Sequence, residues 1–180
     1  LPDTNEQLLQ SVLVNMYGYK PLGYFERDAL GDAEVGMIYR FTDLSDKGLA
    51  LGLGAVLPTG KIDDPDSLQD IATGDGQYDA YLESLSGVSF LDNTFQLDFK
   101  FRYTYQFEKS KKLRIISDSA MPLSRETRLV TEKLGNKTDA TITATINPTI
   151  WLNVNTSFIA NTVEGTRYNI AETNMKAAME

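Results

Sequence analysis

The sequence predicts an all-β fold, an antiparallel up-and-down transmembrane β-barrel segment of about six strands in three hairpins. Three observations support this prediction. Apolar and polar residues alternate with period 2 in six stretches of the chain, which is the pattern of strands with one apolar face. The turns within hairpins are short and the links between hairpins are long. The alternating stretches are long enough for tilted strands to cross a bilayer.

Residues 1–32 are predicted to form an N-terminal helix and loop. Thr4 and Gln7 have the spacing of a capping box. Apolar residues then recur at helical spacing as far as Tyr17, which predicts a helix over 4–17.

The first hairpin is predicted over 33–58, with its turn at 44–47. Its second strand carries leucines on one face and small residues, among them Gly52 and Gly54, on the other. Small side chains leave room for another group beside the backbone.

The second hairpin is predicted over 76–108, with its turn at 91–93. From Phe95 to Glu108 every odd position is apolar or aromatic and every even position is polar. A helix would spread these rings around its whole circumference, so this stretch is the strongest strand signal in the chain.

The third hairpin is predicted over 137–161, with its turn at 147–149. The segments 59–75 and 109–137 are predicted to be long connections, and 162–180 a C-terminal loop or tail. Short turns on one rim and long loops on the other are typical of outer-membrane barrels.

The polar face of these strands is predicted to line a wet interior, because charges of both signs occur in the middle of the strands. The candidate lumen-lining residues are Glu34, Arg40, Asp79, Glu83, Asp98, Lys100, Arg102, Asn153 and Asn155. Carboxylates on neighbouring strands could serve as an acid–base pair, but a charged lining explains them without catalysis.

The composition excludes several classes of function. The chain has 180 residues, a formal net charge of −8, and neither Cys nor His. A general nucleic-acid binder needs a basic surface, and the missing residues exclude the usual general base and thiolate or imidazole metal sites. We therefore expect no enzyme activity, no cofactor and no nucleic-acid partner. No run of 18 apolar residues occurs, which excludes a helical membrane protein.

Six strands are too few for a closed membrane barrel, for which about eight is the minimum. An open sheet edge in lipid would leave backbone groups unpaired. Both ends of the chain fit an internal fragment, so the remaining strands are expected from sequence outside these 180 residues or from other subunits.

A weak internal repeat precedes three of the predicted strands. The repeated triplets are Leu30-Gly31-Asp32, Thr73-Gly74-Asp75 and Leu134-Gly135-Asn136. Glycine permits unusual backbone angles, and Asp or Asn hydrogen-bonds to nearby backbone. The repeat is interpreted as three equivalent entries into the barrel wall, and the alternative is that Gly-Asp is simply a common turn pair.

Two charged segments have alternative interpretations. A weak Ca²⁺ site is predicted from Asp63, Asp64, Asp66 and Asp75, although Asp64 as an N-cap before Pro65 explains part of it. The basic segment 109–137 is predicted to meet lipopolysaccharide phosphates or an acidic partner, or else to be a solvated loop or strands extending above the membrane. Its cations are Lys109, Lys111, Lys112, Arg114, Arg125, Arg128, Lys133 and Lys137.

Several glycine-led motifs resemble one outer-membrane barrel family. They are Ala29 to Gly36, Tyr39-Arg40-Phe41, Leu57 to Lys61 and Gly74 to Asp79. Over roughly 29–108 the chain resembles the family labelled as MetA-pathway phenol-degradation proteins and their transporter-like relatives. The resemblance implies a barrel of about a dozen strands and a role in uptake of small hydrophobic or aromatic compounds. The chain lacks both ends of such a barrel, and the resemblance assigns no ligand residues.

The sequence thus predicts a passive pore or transporter-like channel in the bacterial outer membrane, in contact with outer-membrane lipid and small-molecule solutes. Two alternatives remain open. One is a structural or surface-interaction barrel whose long loops bind a partner. The other is a secreted soluble β-domain, whose apolar strand faces would pack in a core.

Overall fold

The computed structural model describes residues 4–26, 28–41, 47–116 and 123–170 of the chain. A short α-helix, α1, continues into a π-helical turn, and nine strands follow. Their bounds are α1 (Asn5–Ser11), the π-helical turn (Val12–Met16), β1 (Ala33–Arg40), β2 (Lys47–Leu57), β3 (Asp79–Phe90), β4 (Phe95–Gln106), β5 (Lys109–Arg114), β6 (Thr127–Lys133), β7 (Lys137–Thr149), β8 (Leu152–Val163) and β9 (Arg167–Ile170).

The predicted N-terminal helix is present, and it begins with the predicted cap. The Thr4 side chain accepts a hydrogen bond from the Gln7 N–H at 3.2 Å, which satisfies one of the free donors of the first turn. From Val12 onward the helix widens to the π form, which the apolar spacing did not predict. Leu13 of this turn is one of the few fully buried apolar residues.

The main sheet has six antiparallel strands in the order β1-β2-β3-β4-β7-β8. The three predicted hairpins are its three pairs of strands, so the mainly antiparallel all-β prediction is confirmed. Strands β1 and β8 stand at opposite edges of the sheet. Within the described residues the sheet therefore does not close into a barrel.

A second sheet of three strands, in the order β5-β6-β9, differs from the prediction. Two of its strands lie in the predicted loop 109–137 and the third in the predicted tail 162–180. Each of its strands is next along the chain to a strand of the main sheet: β5 follows β4, β6 precedes β7, and β9 follows β8. The order β5-β6-β9 therefore matches the order β4-β7-β8. The second sheet is therefore a continuation of three main-sheet strands beyond short breaks, as one interpretation of the basic segment expected.

Two of the three predicted turns can be compared with the structure. The predicted turn at 91–93 is confirmed, and its three residues all have positive φ. The turn predicted at 147–149 was placed too early, because β7 runs to Thr149 and pairs there with Leu152. The register shifts before Thr149, where Pro148 supplies no N–H to the ladder. The turn predicted at 44–47 lies outside the described residues except for Lys47.

The described residues contain almost no apolar core. Their buried apolar side chains are Leu13, Tyr19, Tyr81 and Val130. Buried polar side chains are more numerous, which is the reverse of a water-soluble sandwich. No helix in the described parts of the chain is both long and apolar enough to span a membrane.

Candidate functional site

The apolar face of the main sheet is bare. Cross-strand pairing sets Met37, Leu53, Leu82 and Tyr103 in one row across four strands. Their exposed fractions are 68%, 56%, 56% and 37%, although they sit in the middle of the sheet. The same holds along β7 and β8, where Ile142 pairs with Phe158 and both are exposed.

A continuous exposed apolar surface of this kind marks a contact with another phase or another protein. The soluble alternative requires a second layer packed on this face. The three-stranded sheet does not provide it, because its strands continue those of the main sheet along the chain.

The opposite face gathers the charges that the sequence assigned to it. The register of the ladders places the predicted lumen-lining set on this one polar face. Its members are Glu34, Arg40, Asp79, Glu83, Asp98, Lys100, Arg102, Asn153 and Asn155. One row across it reads Ile38, Gly52, Glu83, Arg102 and Asp139.

Arg102 is the centre of this face. Its Nη2 lies 2.9 Å from Glu34 Oε2, and its guanidinium lies 3.7 Å from the centre of the Tyr81 ring. Tyr81 in turn lies over Gly54, its paired neighbour on β2, and over Gly36 of β1, which pairs with Gly54. The result is a stack of glycine backbone, aromatic ring and guanidinium that links four strands.

The Arg102–Glu34 ion pair requires the sheet to be strongly curved. Glu34 is on β1, and the residue in its row on β4 is Gln106, four residues from Arg102. In a flat sheet the strand spacing and this offset would separate the two Cα atoms by about 20 Å. Two side chains do not reach across that distance, so the sheet curls with its polar face on the concave side.

Glycines on β2 and β3 make space for charged side chains on the concave face. A Cβ atom on Gly52 would stand 2.8 Å from Glu83 Cγ, and one on Gly87 would stand 2.5 Å from Asp98 Oδ1. Glu83 also faces Lys100, with 3.9 Å between Oε2 and Nζ. The small residues that the sequence showed on one face of β2 therefore accommodate polar side chains from β3.

Two cavities follow the concave face. One, of about 580 Å³, lies toward the short turns and is lined by Arg40, Asp98 and Lys100 among others. The other, of about 530 Å³, lies toward the long loops and is lined by Glu34, Asp79 and Arg102 among others. The face therefore carries two open cavities along its length, each lined in part by charged side chains.

The two predicted asparagines lie nearest the short turns. Asn153 Nδ2 donates to Asn147 Oδ1 at 2.6 Å, and Asn155 Nδ2 donates to Asn153 Oδ1 at 3.3 Å. They form an exposed amide ladder and do not line either cavity.

The repeated triplets fasten the long-loop end of the sheet. Asp32, just before β1, accepts hydrogen bonds from the N–H groups of Gly60 at 2.8 Å and Asp75 at 3.3 Å. Asn136, just before β7, accepts from the Gln106 N–H at 3.2 Å. The acidic or amide member of each repeat thus satisfies backbone donors where neighbouring strands end.

Arg114 holds the long-loop segments together. Its guanidinium donates to the carbonyls of Tyr17, Gly18 and Pro65 at 2.8 to 2.9 Å, and it forms an ion pair with Asp66. It also stacks 3.9 Å from the Tyr19 ring. The side chain is 9% exposed. The sequence showed Arg114 only as one of eight cations and gave no sign of this role.

Replacing Arg114 with Met is expected to loosen the long loops while leaving the main sheet intact. Several carbonyls and Asp66 would lose a charged donor, at a cost of about 1–3 kcal/mol for each buried group left unpaired. Limited proteolysis should then cut within 59–75 or near residue 18 at least several-fold faster. Arg128→Met is the matched control, because among the described residues the partner of Arg128 is the exposed Glu126; equal cleavage rates in both variants would contradict the role of Arg114.

The acidic residues of the predicted Ca²⁺ site have other partners. Asp64 pairs with Lys20, Asp66 pairs with Arg114, and Asp75 accepts from the Gln77 N–H at 2.8 Å. The hydrogen bond from Lys20 lowers the pKa of Asp64 below its ordinary value. In the described segments, which include Asp63, no group of three or more acidic side chains is placed to hold a metal.

The basic segment is partly neutralised within the protein. Besides the Arg114 and Arg128 pairs, Lys111 pairs with Glu132. Lys133 donates to the Tyr105 hydroxyl at 3.0 Å, and Lys137 lines the long-loop cavity. Ion pairs thus neutralise three of the eight cations among the described residues, namely Lys111, Arg114 and Arg128.

Comparison with known proteins adds no relative: no protein-family model matches this chain, and no curated protein matches it.

Proposed function

We propose that this chain is part of the wall of an outer-membrane β-barrel that acts as a passive pore or transporter-like channel for small compounds. The observation that carries the proposal is the contrast between the two faces of one curved sheet. The convex face exposes apolar and aromatic side chains across six strands, and the concave face carries ion pairs and two open cavities lined in part by charged side chains. This is the distribution that a lipid-facing exterior and a wet lumen require.

Strand length and aromatic placement support the same proposal. Strands β2, β3, β4, β7 and β8 have 11 to 13 residues, enough to cross the bilayer at a tilt. Near the strand ends, Tyr39 packs edge-on to Phe41 and Tyr105 to Phe107. Aromatic residues at these heights suit the two membrane interfaces.

In this proposal the remaining strands pair with β1 and β8, and they come from sequence outside these 180 residues or from other subunits. Strands β1 and β8 are exposed along their whole length, and open edges do not persist in lipid. The concave charges would set the polarity of the lumen. The resemblance to phenol-degradation barrels adds small hydrophobic or aromatic compounds as candidate solutes.

A surface-interaction barrel is the second candidate, and one observation favours it. The long-loop side is an ordered assembly of α1, the segment 59–75 and the three-stranded sheet, joined by Arg114. Loops that stayed flexible would not need one buried side chain to hold several segments together. An ordered platform of this kind could present a fixed surface to a partner.

Membrane partitioning tests whether the protein is a membrane barrel at all, and conductance then separates a channel from a surface-interaction barrel. The full-length protein should require detergent, and its gel mobility should change on heating, as for folded barrels. A monomer that stays in solution without detergent would instead establish the secreted soluble β-domain. Single-channel recording in planar bilayers should then show stepwise conductance, and a protein that inserts without conducting would favour the surface-interaction barrel.

A further inference from the structure

A buried cluster of unpaired oxygen atoms lies at the long-loop end of the concave face. Asp79 is 5% exposed, Gln77 1% and Gln106 0%. Asp79 Oδ1 and the Oε1 atoms of Gln77 and Gln106 accept no hydrogen bond. Buried polar atoms are nearly always paired, so three unpaired acceptors in one region require an explanation.

The three side chains belong to one structural unit. Asp79 and Gln106 are directly opposite each other on β3 and β4, and Gln106 Nε2 donates to Asp79 Oδ2 at 3.3 Å. Gln77 precedes Asp79 by two residues, and its Nε2 donates to the Glu132 carbonyl at 3.5 Å. The side-chain N–H groups of Gln77 and Gln106 thus donate within the protein. The atoms left without a partner are all hydrogen-bond acceptors.

The charge balance at this point also favours a cation. No Lys or Arg among the described residues lies within salt-bridge distance of Asp79, although Lys137 lines the same cavity and Lys109 Nζ lies beside Gly76. Asp32 and Asp75 line that cavity as well, and their oxygens already accept backbone N–H groups. A buried carboxylate without a cation or a proton is strongly unfavourable.

We propose that Asp79, Gln77 and Gln106 bind one hard divalent cation of the Ca²⁺ class, with water completing its coordination. Ca²⁺ accepts carboxylate oxygens, amide carbonyls and water together, so it does not need three acidic ligands. Asp32 and Asp75 act from the cavity wall as fixed negative charges. The site is different from the one that the sequence suggested around Asp63, and it does not depend on whether the chain conducts solutes.

Terbium luminescence excited through tyrosine tests the site, because Tyr78 and Tyr81 flank Asp79 in sequence. In detergent, the full-length protein should bind Tb³⁺, and Ca²⁺ should displace it. Asp79→Asn should weaken Tb³⁺ binding about tenfold or more, because the only charged ligand is lost. Asp98→Asn is the matched control, with the same loss of charge on the same face near the short turns, and its Tb³⁺ affinity should be unchanged.

Thermal unfolding gives a second readout that does not depend on the probe. Millimolar Ca²⁺ should raise the Tm of the wild type, while Asp79→Asn should unfold at or above the wild-type Tm without Ca²⁺ and not respond to it. Gln106→Met, which keeps the side-chain volume, should reduce the Ca²⁺ effect. Equal Tb³⁺ affinity in the wild type and Asp79→Asn, or an infrared band of a protonated Asp79 carboxyl at neutral pH in the presence of Ca²⁺, would overturn the proposal.

Discussion

Leu82→Arg is expected to destabilise the folded protein in detergent or lipid by about 2–4 kcal/mol, the cost of a cation on the lipid face near the middle of a barrel strand. Leu82 lies on the convex face of β3, in the row that includes Leu53 and Tyr103. Unfolding by guanidinium, followed through gel mobility and circular dichroism, measures the effect.

Leu85→Arg is the control, and the comparison tells whether the convex face meets lipid or water. Leu85 is three residues along the same strand, faces the concave side and lines the cavity that contains Lys100. In a membrane barrel Leu85→Arg should cost less than Leu82→Arg, because its charge enters the wet side. If the convex face met water instead of lipid, the order would be reversed, because Leu82 is 56% exposed and exposed substitutions usually cost less than about 0.5 kcal/mol. The reversed order would exclude the membrane proposal.

The main sheet could be predicted from sequence because period 2 persists over whole strands. From Phe95 to Gln106 a one-residue error would have moved every aromatic ring to the wrong face. The same rule placed the charged residues on one face before any pairing was known. The turn after β7 was predicted too early because Pro148 reads as a turn residue, whereas in the structure it belongs to an irregular end of the strand.

The second sheet could not be predicted in this way because its strands lack an apolar face. Strand β5 reads Lys-Ser-Lys-Lys-Leu-Arg, and a charged run of this kind fits a solvated loop equally well. Its pairing with β6 follows from the strands that lead into it, β4 and β7, which are already neighbours. The pairing of β5 with β6 therefore depends on the order of the strands in the main sheet, which the local sequence does not show.

The burial of Gln77 and Gln106 at the long-loop end of the sheet could not be predicted from the sequence either. Gln77 and Gln106 are polar residues at the ends of alternating runs, and nothing in their neighbours predicts that they are covered. The cover comes from β6, through the Glu132 carbonyl that Gln77 contacts. Tyr81 was a missed functional residue with a usable signal, because it shares the parity of Asp79 and Glu83 in the alternating run.

Gly54→Ala is expected to destabilise the protein although alanine normally suits a strand better than glycine. The new Cβ atom would stand 2.4 Å from Tyr81 Cζ and 2.5 Å from the Val35 carbonyl oxygen. The Tyr81 ring is held between the backbone of Gly36 and Gly54 on one side and the Arg102 guanidinium on the other, so it has little freedom to move away. Overpacking of this kind costs about 1–3 kcal/mol, measurable by chemical unfolding.

Gly48→Ala is the matched control, because it is on the same strand and face and its Cβ would meet only Arg40 Nη2 at 4.0 Å. It should be neutral or slightly stabilising. Adding Tyr81→Ala to Gly54→Ala should recover part of the loss, since the ring clash disappears and the contact with the Val35 carbonyl remains. A double-mutant cycle between Gly54 and Tyr81 should therefore show a coupling of at least about 0.5 kcal/mol. If the two effects simply add, Tyr81 does not rest on Gly54, and the stack of glycine backbone, aromatic ring and guanidinium is not an energetic unit.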